Sequence, residues 1–140
     1  MSRKVPSTLW TIPAVVLLIA ALTAGSGGDE LWRETGDTQV TVHTVVITVD
    51  PETGTFTYSQ DPVNAKRGDH VEWTCDQGAW SVHFIDRTPF NQDRQRGPKG
   101  GPRRLPVRQN AEFGSYKYFV AVAIGEDIFT DDPEVVVGPD

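Results

Sequence analysis

The side chains able to bind a metal or act as nucleophiles are few in this chain, and they lie far apart. The histidines are His43, His70 and His83, and Cys75 is the single cysteine. No His-x-His or His-x3-His pair occurs, so no local spacing brings two imidazoles to one ion. A non-standard metal site would have to be assembled from distant positions, with His43, His83 and Cys75 as its candidate ligands. Ser81-Val82-His83 followed by Asp86 supplies the residue types of a hydrolytic triad. On a strand, residues two apart share a face with Cα atoms roughly 6.5 Å apart, whereas a working Ser–His pair needs about 3 Å between heavy atoms. There is no Gly-x-Ser-x-Gly elbow either, and no catalytic residue is assigned. Cys75 shares strand parity with Val71 and Trp73, which reads as packing; exposure at the strand end would permit an intermolecular disulfide.

Charge is the second chemical signal. The formal net charge of -6 argues against a nucleic-acid-binding domain. Arginines and lysines nevertheless gather between Arg87 and Arg108, while Glu126, Asp127, Asp131, Asp132, Glu134 and Asp140 make the later residues acidic. Such a cluster is either ordinary solvated surface or a contact surface for an acidic protein or an anionic surface. Arg94, Arg96, Arg103 and Arg104 are the candidate interaction residues. They fall in residues 88–106, where Gly97-Pro98-Lys99-Gly100-Gly101-Pro102 cannot hold a helix or an interior strand. A mobile basic loop is expected there, with Leu105, Val107 and Gln109 as a candidate edge strand.

The elements that must position these groups begin after an N-terminal targeting segment. Arg3 and Lys4 precede an apolar run from Leu9 to Ala24, and Gly25-Ser26-Gly27-Gly28 follows it. Residues 1–28 therefore read as a signal peptide or a membrane anchor. The run is shorter than the roughly 18 apolar residues of a confident span, and extension back to Val5 makes a marginal one. Leu22 fits poorly three residues before a cut after Ala24, which leaves cleavage open. Either outcome puts the remainder outside the cytoplasm, in the periplasm, outside the cell, or anchored and facing outward. Residues 29–37 read as a linker. A lone cysteine excludes an intramolecular disulfide, so stability must come from the core of residues 38–140.

From Thr38 the pattern is one of strands. Residues 40–49 are rich in β-branched side chains, with a change of phase at Val45-Val46 that predicts a bulge or a passage between sheets, leaving the face of His43 open. Asp50-Pro51-Glu52-Thr53-Gly54 is a turn into a second strand at residues 55–59. Val71, Trp73 and Cys75 alternate with His70, Glu72 and Thr74. Trp80, Val82 and Phe84 alternate with Ser81 and His83. Tyr116, Tyr118, Val120 and Val122 form the main inward face of the later residues. Ile128-Phe129 and residues 134–137 complete the set. Short strands at regular intervals with Gly/Pro turns predict an all-β Greek-key β-sandwich.

Two segments carry a more specific signal. Gly68-Asp69, Val71 and Trp73, followed by the alternating run through Phe84, and Gly114-Ser115-Tyr116-Lys117-Tyr118 together resemble the two signature segments of the cupredoxins, the blue-copper β-sandwich proteins. The resemblance implies a cupredoxin-like fold. It also implies where copper ligands would stand: the first histidine position falls on Trp80, and the cysteine position on Val120. Between Val120 and Asp140 there is no His, Cys or Met. A type 1 centre needs a thiolate, two imidazoles and usually a weak axial ligand. Trp80 and Val120 are thus vacated ligand positions, with Trp80 expected to plug the space. The expected function is an exported, non-enzymatic binding or interaction module without a cofactor. The alternative is a metal-binding or electron-transfer protein using non-standard ligands.

Overall fold

A computed structural model describes residues 39–139. The segments read as signal peptide or anchor (1–28) and linker (29–37) lie outside the described residues. Ten strands and no helix occupy the described part. They are β1 (Val42–Val49), β2 (Phe56–Tyr58), β3 (Val63–Ala65), β4 (His70–Thr74), β5 (Ala79–Phe84), β6 (Arg94–Gly97), β7 (Arg103–Pro106), β8 (Gly114–Ile124), β9 (Asp127–Asp131) and β10 (Glu134–Val137). One sheet runs β2-β1-β4-β7; the other runs β3-β10-β8-β5-β6, with β9 beside β8. The strands interleave rather than follow chain order, and the all-β sandwich expected from the sequence is present.

Local chemistry explains the connections. Gly54 adopts φ 72° and closes the β1–β2 turn, with its N–H donating to the Asp50 carbonyl at 2.7 Å. The β8–β9 hairpin turns on Gly125 and Glu126, between the paired Ile124 and Asp127. Gly125 takes φ 64° and Glu126 does not share the positive value, which is the pattern of a type II′ turn. The register set there continues unchanged into β10, where Glu134 pairs with Lys117. Pro133 interrupts the strand because it has no N–H, yet its carbonyl still accepts from Tyr118 N–H at 3.1 Å.

The core lies between the sheets. Trp73 packs edge-on against Phe84, Phe90 and Tyr118 with ring centroids 5.5–6.4 Å apart. Its indole N–H donates to the Tyr118 hydroxyl at 3.4 Å. Burial, with lesser contributions from Asp61 and Asp131, pushes the Tyr118 phenol well above its ordinary range despite that bond, so it stays protonated. Cys75 is fully buried beside these residues, as its parity predicts.

Two expectations are corrected. Residues 88–106 are not one irregular loop: Arg94–Gly97 pairs antiparallel with β5, and Arg103–Pro106 pairs antiparallel with β4. Residues 88–93 and the Gly/Pro run between the two strands remain irregular, and the latter carries the chain from one sheet to the other. Nor does β1 change phase. Val45, Ile47 and Val49 are all buried, with Thr44, Val46 and Thr48 opposite them. The strand instead changes partner, pairing parallel with β4 over Val42–Val46 and antiparallel with β2 over Ile47–Val49. His43 therefore takes the inward parity.

Candidate interaction face

β5 and β8 place Trp80 and Val120, where the sequence resemblance would put copper ligands, side by side. Trp80 pairs with Val122 and Val82 with Val120, so Trp80 and Val120 are diagonal neighbours on the inward face. Neither leaves space: Trp80 is 3% exposed and Val120 is fully buried. The indole is held by its N–H donating to the Gly101 carbonyl at 3.2 Å. It also lies against Gly97, its partner on β6; a Cβ there would come within 2.6 Å of both the indole ring and the Gly101 carbonyl. Gly97 thus reads as the residue that admits Trp80. An indole and an isopropyl group offer no donor atoms for a type 1 copper ion, and the residues at these positions do not fit one.

The proposed non-standard ligands are not brought together. His43 lies on β1 of one sheet and His83 on β5 of the other. Among the described residues, no group of three or more His, Cys, Asp or Glu side chains is arranged to hold a metal ion. His43 Nε2 sits 2.9 Å from Asp69 Oδ2, and Asp69 is only 6% exposed. Asp69 also accepts from the backbone N–H groups of Lys66 at 2.9 Å and Thr41 at 3.2 Å. Burial alone would raise its carboxyl, but the hydrogen bonds from His43, Lys66 and Thr41 outweigh it and hold the group below its ordinary 3.8. This is a structural clasp between the start of β1 and the turn before β4. His83 lies on the outward face, with Nε2 3.4 Å from an Arg94 nitrogen and 3.9 Å from Asp93 Oδ2.

The outward face of the same β5–β8 pair is different in kind. Ala79 pairs with Ala123, and Ser81 with Ala121, giving a floor of small side chains across the sheet. β9 adds Ile128 beside Ala123, and β6 adds Arg96 beside Ser81. Together with Trp80, Gly97 and Pro98, and with Arg103 from β7 of the other sheet, these residues enclose an open groove of about 620 Å³. Ile128 is 73% exposed, and Phe119, on the same face, is also exposed. The groove therefore combines an apolar floor with guanidinium groups on one side.

The four arginines chosen from the sequence separate into two sets. Arg104 is engaged: its Nε and Nη2 donate to Glu72 Oε2 at 3.0 and 2.9 Å. Among the described residues, Arg94, Arg96 and Arg103 face no carboxylate within ion-pair distance. Arg94 contacts His83, Arg103 donates to the Pro102 carbonyl at 3.3 Å, and Arg96 lines the groove. Sequence reasoning found these arginines but missed the groove floor, since alanines and a serine on alternate strand positions carry no chemical signal of their own.

Protein-family models give no match to this chain, and no curated protein matches it. Solved structures do. A purple cupredoxin from Nitrosopumilus maritimus shares 19% identity over 69% of this chain and 99% of its own, at a TM-score of 0.49. An oxidized amicyanin mutant shares 21% identity over 69% of this chain and 81% of its own, at a TM-score of 0.43. A reduced Cu(I) form of another amicyanin mutant, at pH 4, shares 19% over 73% of this chain and 87% of its own, also at 0.43. The described residues form a two-sheet β-sandwich.

Proposed function

We propose that this chain is an exported binding module, tethered to the membrane or released from it, that uses the outward face of β6, β5, β8 and β9 to hold an acidic protein partner. The observation that carries this reading is the 620 Å³ groove with an Ala/Ser floor, bordered by Arg96 and Arg103. Loop-flanked surfaces on a rigid sandwich suit recognition. Apolar area beside uncompensated guanidinium groups suits a partner that combines an apolar side chain with carboxylates. The reading is one of binding and not of catalysis: Ser81 and His83 share a side of β5, but His83 Nε2 lies 3.4 Å from an Arg94 nitrogen and 3.9 Å from Asp93 Oδ2. The export reading rests on the basic and apolar residues of 1–28.

Charge reversal tests the face. Full-length protein and a variant carrying Arg94→Glu, Arg96→Glu and Arg103→Glu are used to capture partners from membrane extracts. The variant should lose what the wild type retains, whereas Arg104→Glu should not. Equal capture by all three would abandon the reading. Copper and zinc analysis of the full chain addresses the metal alternative, because stoichiometric copper with a blue thiolate band would replace the binding reading with electron transfer. Cell fractionation and intact mass of the native protein test export and cleavage.

A further inference from the structure

The free edge of β6 has a feature that the groove does not share. Among the described residues, β6 is an outer strand of its sheet and pairs only with β5. In an antiparallel pair, hydrogen-bonded and non-hydrogen-bonded residue pairs alternate. Phe84 N–H donates to the Asp93 carbonyl at 2.7 Å, just before β6 begins. The alternation then makes Val82–Gln95 and Trp80–Gly97 the bonded pairs, and His83–Arg94 and Ser81–Arg96 the non-bonded ones. The backbone N–H and C=O groups of Arg94 and Arg96 are consequently directed away from β5, and among the described residues no backbone group outside β5 bonds to them. Both side chains are exposed, and a hollow of about 350 Å³ lined by Arg94, Gln95 and Arg96 runs along this edge.

An edge with two free donor–acceptor pairs is a template for a further strand. Short length and like charge make it a poor template for a second copy of itself, since two such edges would set arginine against arginine. The same charges favour a strand with carboxylates at alternate positions, whose side chains fall beside Arg94 and Arg96 on the outward face. We infer that β6 binds an extended acidic segment of a partner protein by strand addition, the backbone of Arg94 and Arg96 supplying the hydrogen bonds and their guanidinium groups the selectivity. This rests on the binding-module reading above and specifies its mode.

The test uses full-length protein and the acetylated, amidated peptide Thr-Glu-Val-Glu-Val-Glu-Thr. Controls are its Lys-for-Glu counterpart, an analogue N-methylated on alternate amides, and phosphatidylglycerol vesicles. Amide hydrogen exchange is followed by NMR. Strand addition predicts new protection at the Arg94 and Arg96 amides, with little change at Gln95, which is already bonded to β5. It also predicts roughly tenfold or greater weakening by N-methylation, by Lys-for-Glu exchange, or by the pair Arg94→Gln and Arg96→Gln. Peptide binding without protection at Arg94 and Arg96 would overturn strand addition while leaving an arginine-dependent binding face intact. No peptide binding at all would also overturn it, and capture of the vesicles that is lost in the Arg94→Gln and Arg96→Gln variant would assign the arginines to a lipid surface. If the triple charge-reversal variant also keeps every captured partner, the parent reading fails independently.

Discussion

The two faces of the β5–β8 pair differ in what their side chains do with space. Inward, Trp80, Val82, Phe84, Tyr118, Val120 and Val122 fill the sandwich interior and are almost completely buried. Outward, Ala79, Ser81, Ala121 and Ala123 leave room above the sheet, and the larger Phe119 and Ile128 stand exposed at its margins. The alternation therefore fills the volume on one side and opens one on the other, with Trp80 contributing to the lining of the groove from below. The place to look for a ligand moves from the interior, where the cupredoxin resemblance directs attention, to the sheet surface.

Substitutions can break this contrast or sharpen it. The largest effect should come from the inward face: Trp80→Ala removes a buried indole and its bond to Gly101, at a cost of about 3–5 kcal/mol in denaturant unfolding. A loss below about 1 kcal/mol would mean that the interior is not filled as described. Asp69→Ala comes next, at about 2–3 kcal/mol, because it strips a buried acceptor from His43, Lys66 and Thr41. The clasp belongs to neither face, so its pH dependence gives a separate control. Its carboxyl titrates below 3.8 in the folded protein, so the folded state binds fewer protons there than the unfolded chain. Its stabilisation is complete above the ordinary carboxylate range and is lost as pH falls through the lowered value. Acid titrations of wild type and an Asp69→Asn variant should differ by this component, and titrations of groove variants should not.

Gly97→Ala should cost about 1–3 kcal/mol, since its methyl group meets both the indole and the Gly101 carbonyl. The smallest stability effects belong to the outward face. Ala121→Leu should change unfolding by no more than about 0.5 kcal/mol while filling the groove and abolishing partner capture. A destabilisation comparable to that of Gly97→Ala would show that the outward floor is packed rather than open.

Much of the fold was legible because its strands advertise themselves. Trp73, Val82 and Tyr118 sit at alternate positions in runs bounded by Gly/Pro turns, and each is buried where parity puts it. The strand at Arg94–Gly97 was not legible, and the edge strand expected at Leu105, Val107 and Gln109 was placed too late, at Arg103–Pro106 in the structure, because edge strands do not need apolar alternation and their Gly, Pro and Arg content imitates a loop. Their order comes from pairing with β5 and β4, which are distant in sequence. His43 was open for the same reason: its face depends on Asp69, across a parallel pairing that no local pattern reveals. Of the candidate site, the arginines were visible as charge, but only pairing distinguished Arg104, held by Glu72, from Arg94, Arg96 and Arg103.

The parallel pairing of β10 with β3 has a consequence for synthesis. Val63–Ala65 gains its partner only when Val135–Val137 is available, and β10 is also the strand that joins β3 to β8. The second sheet therefore cannot close while residues 134–137 remain inside the ribosome. Contacts so far apart along the chain slow folding, leaving a nascent chain extended for longer. An unfolded chain is the form that can be threaded through a narrow secretion channel, so on the export reading proposed above, late closure would keep the chain competent for that passage until residues 134–137 arrive.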